Sequence, residues 1–339
     1  MFALMQSTRV QHLRVIVDPA TGLRAVVAIH GERHPQALGG CRYLHYPDDD
    51  SAMAEAVRLA EVMSFKAALA GLPVGGAQAV IMRNAYVDNR AALFEAFGRF
   101  VETLNGTYVA AIDSGTSTAD MDCVALHTRH VTCTAGAGDT SRPTAEGVFA
   151  GIRAAALARL GSSDLEGLRV GVQGLGHIGY TLASLLRGAG ADLLVSDVDP
   201  GRVQLAMDQL DARPVAAERM ASTPCDIFAP CGFGAMLNYQ SVGQLRCAAV
   251  AGCANGQLGD LAVADQLEER GILYAPDYVI NAGGLIHAAL SHSGEADGQL
   301  ARYLQGIGQR LTGIFAQAQA QHRSPARVAQ EMAERLVYG

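Results

Sequence analysis

The sequence predicts an α/β fold with two domains and a cleft between them. Its 339 residues exceed what most single hydrophobic cores accommodate. A strand–turn–helix–strand pattern with a glycine-rich turn begins at Leu168, and several short apolar runs that end in small or polar residues follow it. Such a series is typical of a doubly wound parallel sheet. Before Leu168, strand-like and helix-like segments lack that motif, which indicates a separate α/β domain.

Composition places the chain among well-packed globular proteins. Half of the residues are hydrophobic, 17% are charged, and the net charge of −7 gives no electrostatic support for binding nucleic acid or an anionic membrane. No stretch approaches the ~18 apolar residues of a membrane span, and the N-terminus lacks a signal-peptide pattern. The seven cysteines, without C-x-x-C spacing, indicate reduced thiols rather than a disulfide framework or a zinc site. We therefore expect a cytoplasmic protein without a bound metal.

The first third of the chain predicts a hairpin, a long helix and a strand, in that order. The runs Leu13–Asp18 and Leu23–Gly31 flank a Pro-Ala-Thr-Gly turn, as in an antiparallel hairpin. Acidic residues and a serine at 48–51 suit a helix N-terminus, and Gly71 ends the apolar helical pattern that follows. The apolar run Ala77–Met82 then predicts a strand.

A dinucleotide-binding motif follows the strand that starts at Leu168. It fits G-x-G-x-x-G and consists of Gly174, Leu175, Gly176, His177, Ile178 and Gly179. Its glycines allow a tight turn and a close approach to a pyrophosphate, at the N-terminus of the following helix. Asp197, after the next strand, is placed to accept the ribose 2′-hydroxyl, which favours NAD over NADP. Arg202 keeps NADP as an alternative, and a βαβ unit without any ligand is another.

Lys66 is unusual because it is the only lysine among the 26 Lys and Arg residues of the chain. Where a chain otherwise uses arginine, a retained lysine marks a site that needs a compact ammonium with three donors. The first domain also contains the pair Gly39 and Gly40, Gln78 in a glycine-rich turn, and Asp113. None of these signals is specific alone, because a lone lysine is usually a solvated surface charge and a lone aspartate in such a segment is usually part of a turn or a helix cap.

Seven segments, taken together and in order, are more specific than any one of them. They are LGGCRYLHYP, EVMSFKAALAGLPVGGAQAVI, AIDSGTSTADMD, VQGLGHIGY, IFAPCGFGAML, AGCANGQL and YAPDYVINAGG. This set resembles the Glu/Leu/Phe/Val amino-acid dehydrogenases, most closely the leucine dehydrogenase branch, from about residue 10 to about residue 335. The resemblance implies reversible, NAD-dependent oxidative deamination of an L-amino acid to a 2-oxo acid and ammonia.

The resemblance also implies a separate function for each of the two domains. An N-terminal α/β domain over 1–140, joined by a C-terminal helix at about 318–339, would bind the substrate and form the oligomer. A Rossmann-type domain over 141–317 would bind NAD. Relatives associate through the first domain, so a homo-oligomer, a dimer or larger, is expected.

Roles for individual residues follow from the same resemblance. Lys66 would bind the substrate carboxylate with the backbone N–H groups of Gly39 and Gly40, while Asp113 would move protons between amine, water and carbinolamine. An apolar pocket for the substrate side chain would be formed by Leu38, Ala111 and Leu285. The positions near the nicotinamide or its ribose would be Thr144, Ala229, Pro230, Cys253, Ala254, Asn255 and Asn281, the last of which would also touch the substrate.

Gln78 marks a departure from the family pattern. Relatives have a second lysine in a G-G-G-K turn, whereas this chain has Gly-Gly-Ala-Gln over 75–78. In relatives that lysine activates water and polarises the substrate carbonyl beside the aspartate. A glutamine can donate a hydrogen bond there, but it carries no charge and cannot titrate.

Three functions are compatible with this sequence. The first is an amino-acid dehydrogenase for an apolar substrate, weakened or altered by Gln78. The second is an imine or cyclic-imine reductase, or an amine-oxidising enzyme, of a specialised biosynthetic pathway, because hydride transfer itself does not need activated water. The third is a non-catalytic NAD-binding paralogue.

Overall fold

The described residues form two compact units, each built on one β-sheet. The computed structural model describes residues 1–31, 33–83, 89–232 and 236–339. Unit 1 contains Met1–Thr140, Leu285–Gln299 and Ala333–Gly339, and unit 2 contains Ser141–Gly284 and Leu300–Met332. The predicted two-domain α/β fold is confirmed. Within it, the residues at 300–332 group with unit 2, whereas the sequence-based division joins 318–339 to the first domain.

The described residues form eleven strands and fourteen α-helices. The strands are β1 (His12–Asp18), β2 (Leu23–His30), β3 (Ala37–Leu44), β4 (Gly75–Met82), β5 (Tyr108–Ile112), β6 (Arg169–Gln173), β7 (Asp192–Ser196), β8 (Arg213–Pro214), β9 (Ile227–Pro230), β10 (Ala249–Val250) and β11 (Leu273–Tyr274). The α-helices are α1 (Phe2–Thr8), α2 (Asp49–Ala70), α3 (Arg90–Thr103), α4 (Thr118–Ala125), α5 (Ser141–Leu160), α6 (His177–Gly188), α7 (Pro200–Leu210), α8 (Ala217–Met220), α9 (Tyr239–Gln244), α10 (Ala262–Glu269), α11 (Asp277–Ile280), α12 (Gly283–Ser293), α13 (Ala296–Gln321) and α14 (Pro325–Tyr338). None of the described helices combines the length and apolar character that a membrane crossing requires.

Unit 1 contains a mixed five-stranded sheet in the order β1-β2-β4-β3-β5. β1 and β2 form the predicted antiparallel hairpin. β3 lies between β4 and β5 and runs parallel to both. The carboxyl ends of these three strands therefore lie at one edge of the sheet, and Asp113 follows the end of β5.

The long helix α2 begins and ends where the sequence predicts. The Asp48 side chain accepts a hydrogen bond from the Ser51 N–H at 2.7 Å, and Gly71 closes the helix with φ 75°. The helix packs closely on β4, because a Cβ atom at Gly76 would lie 2.0 Å from Ser64 N. This contact places Lys66, two residues after Ser64 and 8% exposed, in the buried part of the helix.

Unit 2 contains an entirely parallel six-stranded sheet in the order β11-β10-β9-β6-β7-β8. The predicted strand–turn–helix–strand pattern is confirmed as β6, α6 and β7. The order reverses direction at β6, since the chain continues to β7 on one side and returns to β9 on the other. Ligands of such sheets bind outside the carboxyl ends of the strands at this switch point.

A buried histidine connects the C-terminus to the centre of unit 1. His30 is fully buried; its Nδ1 lies 2.7 Å from Ser64 Oγ and its Nε2 lies 3.1 Å from Tyr338 Oη. Tyr338 in turn donates to Glu61 Oε1 at 3.1 Å. Burial disfavours the imidazolium and lowers the pKa of His30 to about 4, with a smaller contribution from Arg9 in the same direction and a backbone hydrogen bond of Thr8 opposing both.

This lowered pKa makes the stability of the protein sensitive to acid. Above the ordinary histidine pKa, His30 is neutral in both the folded and the unfolded state, so it has no effect. Below it, the unfolded chain takes up the proton first, and stability falls until the pH reaches the folded-state pKa. We expect this group to remove about 2 kcal/mol from the free energy of unfolding between about pH 7.5 and about pH 5. Urea unfolding at the two pH values measures it.

The His30→Gln variant should lack this part of the pH dependence. His12→Gln is the matched control, because His12 is exposed at the start of β1. We expect the control to keep the pH dependence of the parent protein. Equal pH dependence in His30→Gln and the parent would contradict the assignment.

Candidate functional site

Gln78 and Asp113 meet across β3 at a glycine. The register of β3 against β4 pairs Leu38 with Gly76 and Cys41 with Ala79, and the same offset places Gly40 opposite Gln78. Gln78 Nε2 donates to Asp113 Oδ2 at 2.7 Å. A Cβ atom at Gly40 would lie 2.5 Å from Asp113 Cβ. The contact between the two side chains therefore requires a glycine between them.

Arg42 supplies a cation to the same carboxylate. The register of β3 against β5 pairs Gly40 with Ala111, so Arg42 and Asp113 are opposite one another. Arg42 Nε donates to Asp113 Oδ2 at 3.0 Å, and Arg42 Nη1 donates to Glu55 Oε1 at 2.6 Å. Burial disfavours the guanidinium charge, but Asp113 and Glu55 outweigh it and raise the pKa of Arg42. The pair is largely enclosed, with 14% of the Arg42 side chain and 18% of the Asp113 side chain exposed.

Two of the three predicted apolar positions lie on the strands that carry this polar group. Leu38 shares the face of β3 with Gly40 and Arg42, and it is 2% exposed. Ala111 is on the neighbouring strand and is also buried, as is Leu285 at the start of α12. Unit 1 therefore places Leu38, Ala111 and the Gln78–Asp113–Arg42 cluster at one sheet.

The glycine-rich turn of unit 2 has the geometry that a pyrophosphate requires. Gly174 has φ 102°, which favours glycine, and a Cβ atom there would lie 2.7 Å from Gly232 N. Gly179 packs on the turn, since its Cβ atom would lie 2.0 Å from Gly174 O. Gly176 is the N-cap of the twelve-residue helix α6 and makes no side-chain cap hydrogen bond. His177 and Ile178 form the first turn of that helix, whose N–H groups face the position of an anion.

Asp197 is held against the glycine turn. Its Oδ2 accepts from Leu175 N–H at 2.5 Å, and its Oδ1 accepts from Asp199 N–H at 2.9 Å. Each carboxylate oxygen has a second lone pair for a ribose hydroxyl. Arg202 Nη1 lies 3.9 Å from Asp197 Oδ2, on the same side of the turn.

The predicted nicotinamide positions converge at the carboxyl ends of β9 and β10. Asn281 Nδ2 donates to Cys253 O at 3.1 Å and to Asn255 Oδ1 at 2.7 Å, and Ala254 N–H donates to Pro230 O at 3.0 Å. Ala229 precedes Pro230 on β9, and the Cβ atom of a residue at Gly283 would lie 2.9 Å from Thr144 Cα.

Asn281 Oδ1 is buried and lacks a hydrogen-bond partner among the residues that the structure describes. An unused acceptor at this position fits the carboxamide or ribose donors of a nicotinamide nucleotide. The glycine turn, Asp197 and this acceptor thus fit NAD.

Family comparison decides what kind of protein carries these two sites. The model of the Glu/Leu/Phe/Val dehydrogenase dimerisation domain matches residues 7–130, and that of the Glutamate/Leucine/Phenylalanine/Valine dehydrogenase domain matches residues 203–334. The chain belongs to this family. The predicted resemblance is confirmed at that level, and the family's enzymes are NAD(P)-dependent oxidoreductases.

Similar proteins span most of the chain. The leucine dehydrogenase of Bacillus subtilis (strain 168) is 41% identical over 293 residues, which is 85% of this chain and 80% of that protein. The valine dehydrogenase of Streptomyces virginiae is 39% identical over 340 residues, 98% of this chain and 95% of that protein. The crystal structure of L-tryptophan dehydrogenase from Nostoc punctiforme superposes with a TM-score of 0.86 at 33% identity, covering 99% of this chain and 98% of the other. Leucine dehydrogenases of this family use NAD, in agreement with the predicted cofactor.

Sequence reasoning identified the glycines, Gln78 and Asp113 but missed Arg42. A signal was present, because Arg42 follows Gly40 by two residues and must share its face of the strand. What the sequence lacks is the register between β3 and β5, which alone places Arg42 opposite Asp113.

Removing the Arg42 guanidinium should destabilise the fold. Arg42→Met leaves the largely enclosed Asp113 and Glu55 carboxylates without their cation, and we expect a loss of about 3 kcal/mol in the free energy of unfolding. Urea denaturation followed by circular dichroism measures it. Arg14→Met, on the exposed face of β1, is the control and should change stability by less than about 0.5 kcal/mol. Similar losses in both variants would argue against a buried ion pair at Arg42.

Proposed function

We propose that the protein is an NAD-dependent oxidoreductase acting on the CH–NH₂ group of an apolar L-amino acid, with its deamination step weakened by Gln78. The observation that carries this proposal is the 2.7 Å hydrogen bond from Gln78 Nε2 to Asp113 Oδ2. It places a neutral amide beside the proposed proton-transferring carboxylate, at the position where relatives are expected to have a lysine.

The proposed substrate class follows from the residues that would bind the carboxylate and the side chain of the substrate. Lys66 would bind the carboxylate as an ion pair, and the backbone of Gly39 and Gly40 would complete its hydrogen bonds. The side chain would lie against Leu38, Ala111 and Leu285, whose buried apolar surfaces favour an aliphatic or aromatic group. Arg42 does not offer a charge to an acidic substrate, because Asp113 and Glu55 already bind it.

NAD, when bound, supplies the acceptor for the hydride that leaves the substrate Cα. The glycine turn and the N-terminus of α6 would hold its pyrophosphate, and Asp197 its adenosine ribose. Asn281 Oδ1 would accept a hydrogen bond from the nicotinamide half. These residues orient the cofactor and leave the proton chemistry to the residues of unit 1.

Proton transfer is the step that Gln78 should impair. Asp113 accepts hydrogen bonds from Gln78, Arg42 and Ser114, so the chain itself occupies both of its oxygens. Gln78 can orient the carboxylate and polarise a substrate carbonyl, but an amide cannot give up and regain a proton near neutral pH. Loss of one positioned acid–base group typically costs ~10²–10⁴-fold in rate.

A second function, reduction of an imine or cyclic imine by NADH, is favoured by the same contact. Hydride transfer to an existing C=N bond requires a bound carboxylate and a proton donor, but no activated water. An amine whose imine leaves or cyclises would be oxidised in the same way. A site that holds Asp113 with an amide and a guanidinium supports these reactions better than hydrolysis of an imine to a ketone.

Gln78→Lys should increase oxidative deamination of the preferred apolar amino acid by ~10²-fold or more, because it restores a titrating group beside Asp113. NADH formation is measured with a panel of amino acids, and NADH consumption with a panel of cyclic imino acids. Gln204→Lys adds the same charge on the exposed face of α7 and should leave both rates unchanged.

Each outcome separates the candidate functions. Fast deamination by the parent protein, at rates that Gln78→Lys does not improve, would show that Gln78 is not limiting. Imine reduction without deamination would support the second function. NADH binding with no turnover of either panel, in the parent and in a folded Gln78→Lys variant, would overturn both and leave a non-catalytic paralogue.

A further inference from the structure

Two pairs of cysteines lie at opposite ends of the neighbouring strands β9 and β10. Cys225 precedes β9 and Cys231 follows it, while Cys247 precedes β10 and Cys253 follows it. The parallel register pairs Ile227 with Ala249. The same offset places Cys225 opposite Cys247 at the amino ends of the strands. At the carboxyl ends, Cys231 directly follows β9 and Cys253 lies three residues past the end of β10. All seven cysteines are free thiols.

The backbone holds Cys231 and Cys253 close together. Past the ends of the strands the two segments stay hydrogen-bonded, since Ala251 N–H donates to Phe228 O at 2.9 Å and Ala254 N–H donates to Pro230 O at 3.0 Å. The second bond is one residue out of the strand register. Neighbouring strands are about 4.8 Å apart, within the Cα separations that disulfides span. The two side chains are close enough to shift one another's pKa.

The two pairs differ in thiol chemistry. At the amino ends, burial raises the pKa of Cys225 to about 11 and that of Cys247 to about 12, so both stay protonated. At the carboxyl ends, the Cys231 thiolate accepts a hydrogen bond from the Cys253 thiol, which lowers the pKa of Cys231 and raises that of Cys253. The thiolate is the nucleophilic form, so Cys231, which is partly exposed, is the reactive member.

The carboxyl-end pair also contacts the proposed cofactor site. A Cβ atom at Gly174 would lie 2.8 Å from Cys231 C, and one at Gly179 would lie 3.2 Å from Cys231 Cβ. On the other strand, Cys253 O accepts the hydrogen bond from Asn281 Nδ2. A bond between the two sulfurs, about 2.05 Å long, would draw both segments together. Because β9 lies between β10 and β6, that bond would pull Cys231 away from the glycine turn that packs against it.

We propose that Cys231 and Cys253 are an oxidation site that closes to a disulfide with a peroxide and thereby weakens NADH binding. The Cys231 thiolate attacks hydrogen peroxide, its O–O bond breaks, and hydroxide leaves as water after taking up a proton. The resulting sulfenic acid is attacked by the Cys253 sulfur, the S–S bond forms, the S–O bond breaks, and a second water leaves. The two thiols together lose two electrons, and these electrons reduce one hydrogen peroxide to two waters.

The test uses the full chain, reduced and then treated with hydrogen peroxide. Free thiols are alkylated after denaturation, and the peptides are mapped by mass spectrometry. We expect a linked peptide that joins Cys231 to Cys253, with Cys225 and Cys247 alkylated. NADH affinity, followed by its fluorescence without any amino acid, should fall by about tenfold and recover with dithiothreitol.

Variants separate the two pairs. Cys253→Ala should give no linked peptide and no reversible loss of NADH affinity, and Cys253→Ser serves if the alanine variant folds poorly. Cys247→Ala changes the opposite end of the same strand and should behave as the parent protein. Absence of the linked peptide, an unchanged NADH affinity in the linked form, or a reversible loss in both Cys253 variants would each overturn the proposal. Because no turnover is measured, a failure of the proposed function leaves this test valid.

Discussion

The absence of side chains at Gly39 and Gly40 is the constraint on which unit 1 depends. These glycines lie in the central part of β3, between two parallel neighbours. A Cβ atom at Gly39 would lie 1.6 Å from Ala77 O on β4, and one at Gly40 would lie 2.5 Å from Asp113 Cβ. Any larger residue would push away β4 or the end of β5. The contact of Gln78 with Asp113 crosses β3, so it can form only because β3 has no side chains at Gly39 and Gly40.

The charge balance on this sheet follows from that close approach. Once Asp113 is brought over β3, it is largely out of water and needs donors, which Gln78 and Arg42 provide. Glu55 holds the other side of the Arg42 guanidinium, so two carboxylates share one permanent cation. The arrangement stabilises the carboxylate in place, but none of its donors exchanges protons readily near neutral pH. A site of this kind suits binding and hydride chemistry more than the activation of water.

In unit 2, as in unit 1, close packing at glycines determines which groups lie together. Its parallel strands end at one edge, where the glycine turn, the Asn281 acceptor and two thiols are brought together. Close packing at Gly174 and Gly179 fits a cofactor backbone, and it also joins the glycine turn to Cys231, so a displacement of Cys231 would be felt at the turn. Local rigidity thus links cofactor binding to the oxidation state of two neighbouring side chains. The equivalent cysteines at the other end of the strands lack this connection because burial keeps both protonated.

The sequence by itself determined what is local or carried by ordered motifs: the hairpin, the caps of α2, the βαβ unit with its glycine turn, the family and the expected cofactor. Those features depend on neighbouring residues, whose spacing sets periodicity and turn geometry. Only the tertiary structure decided that Arg42 faces Asp113 and that Cys231 faces Cys253. These pairs join residues distant in sequence, and their contact depends on strand register, where a shift of one residue turns every side chain to the other face. The order and register of the strands are set by the packing of the whole sheet. They bring residues that the sequence indicates only one at a time together into sites.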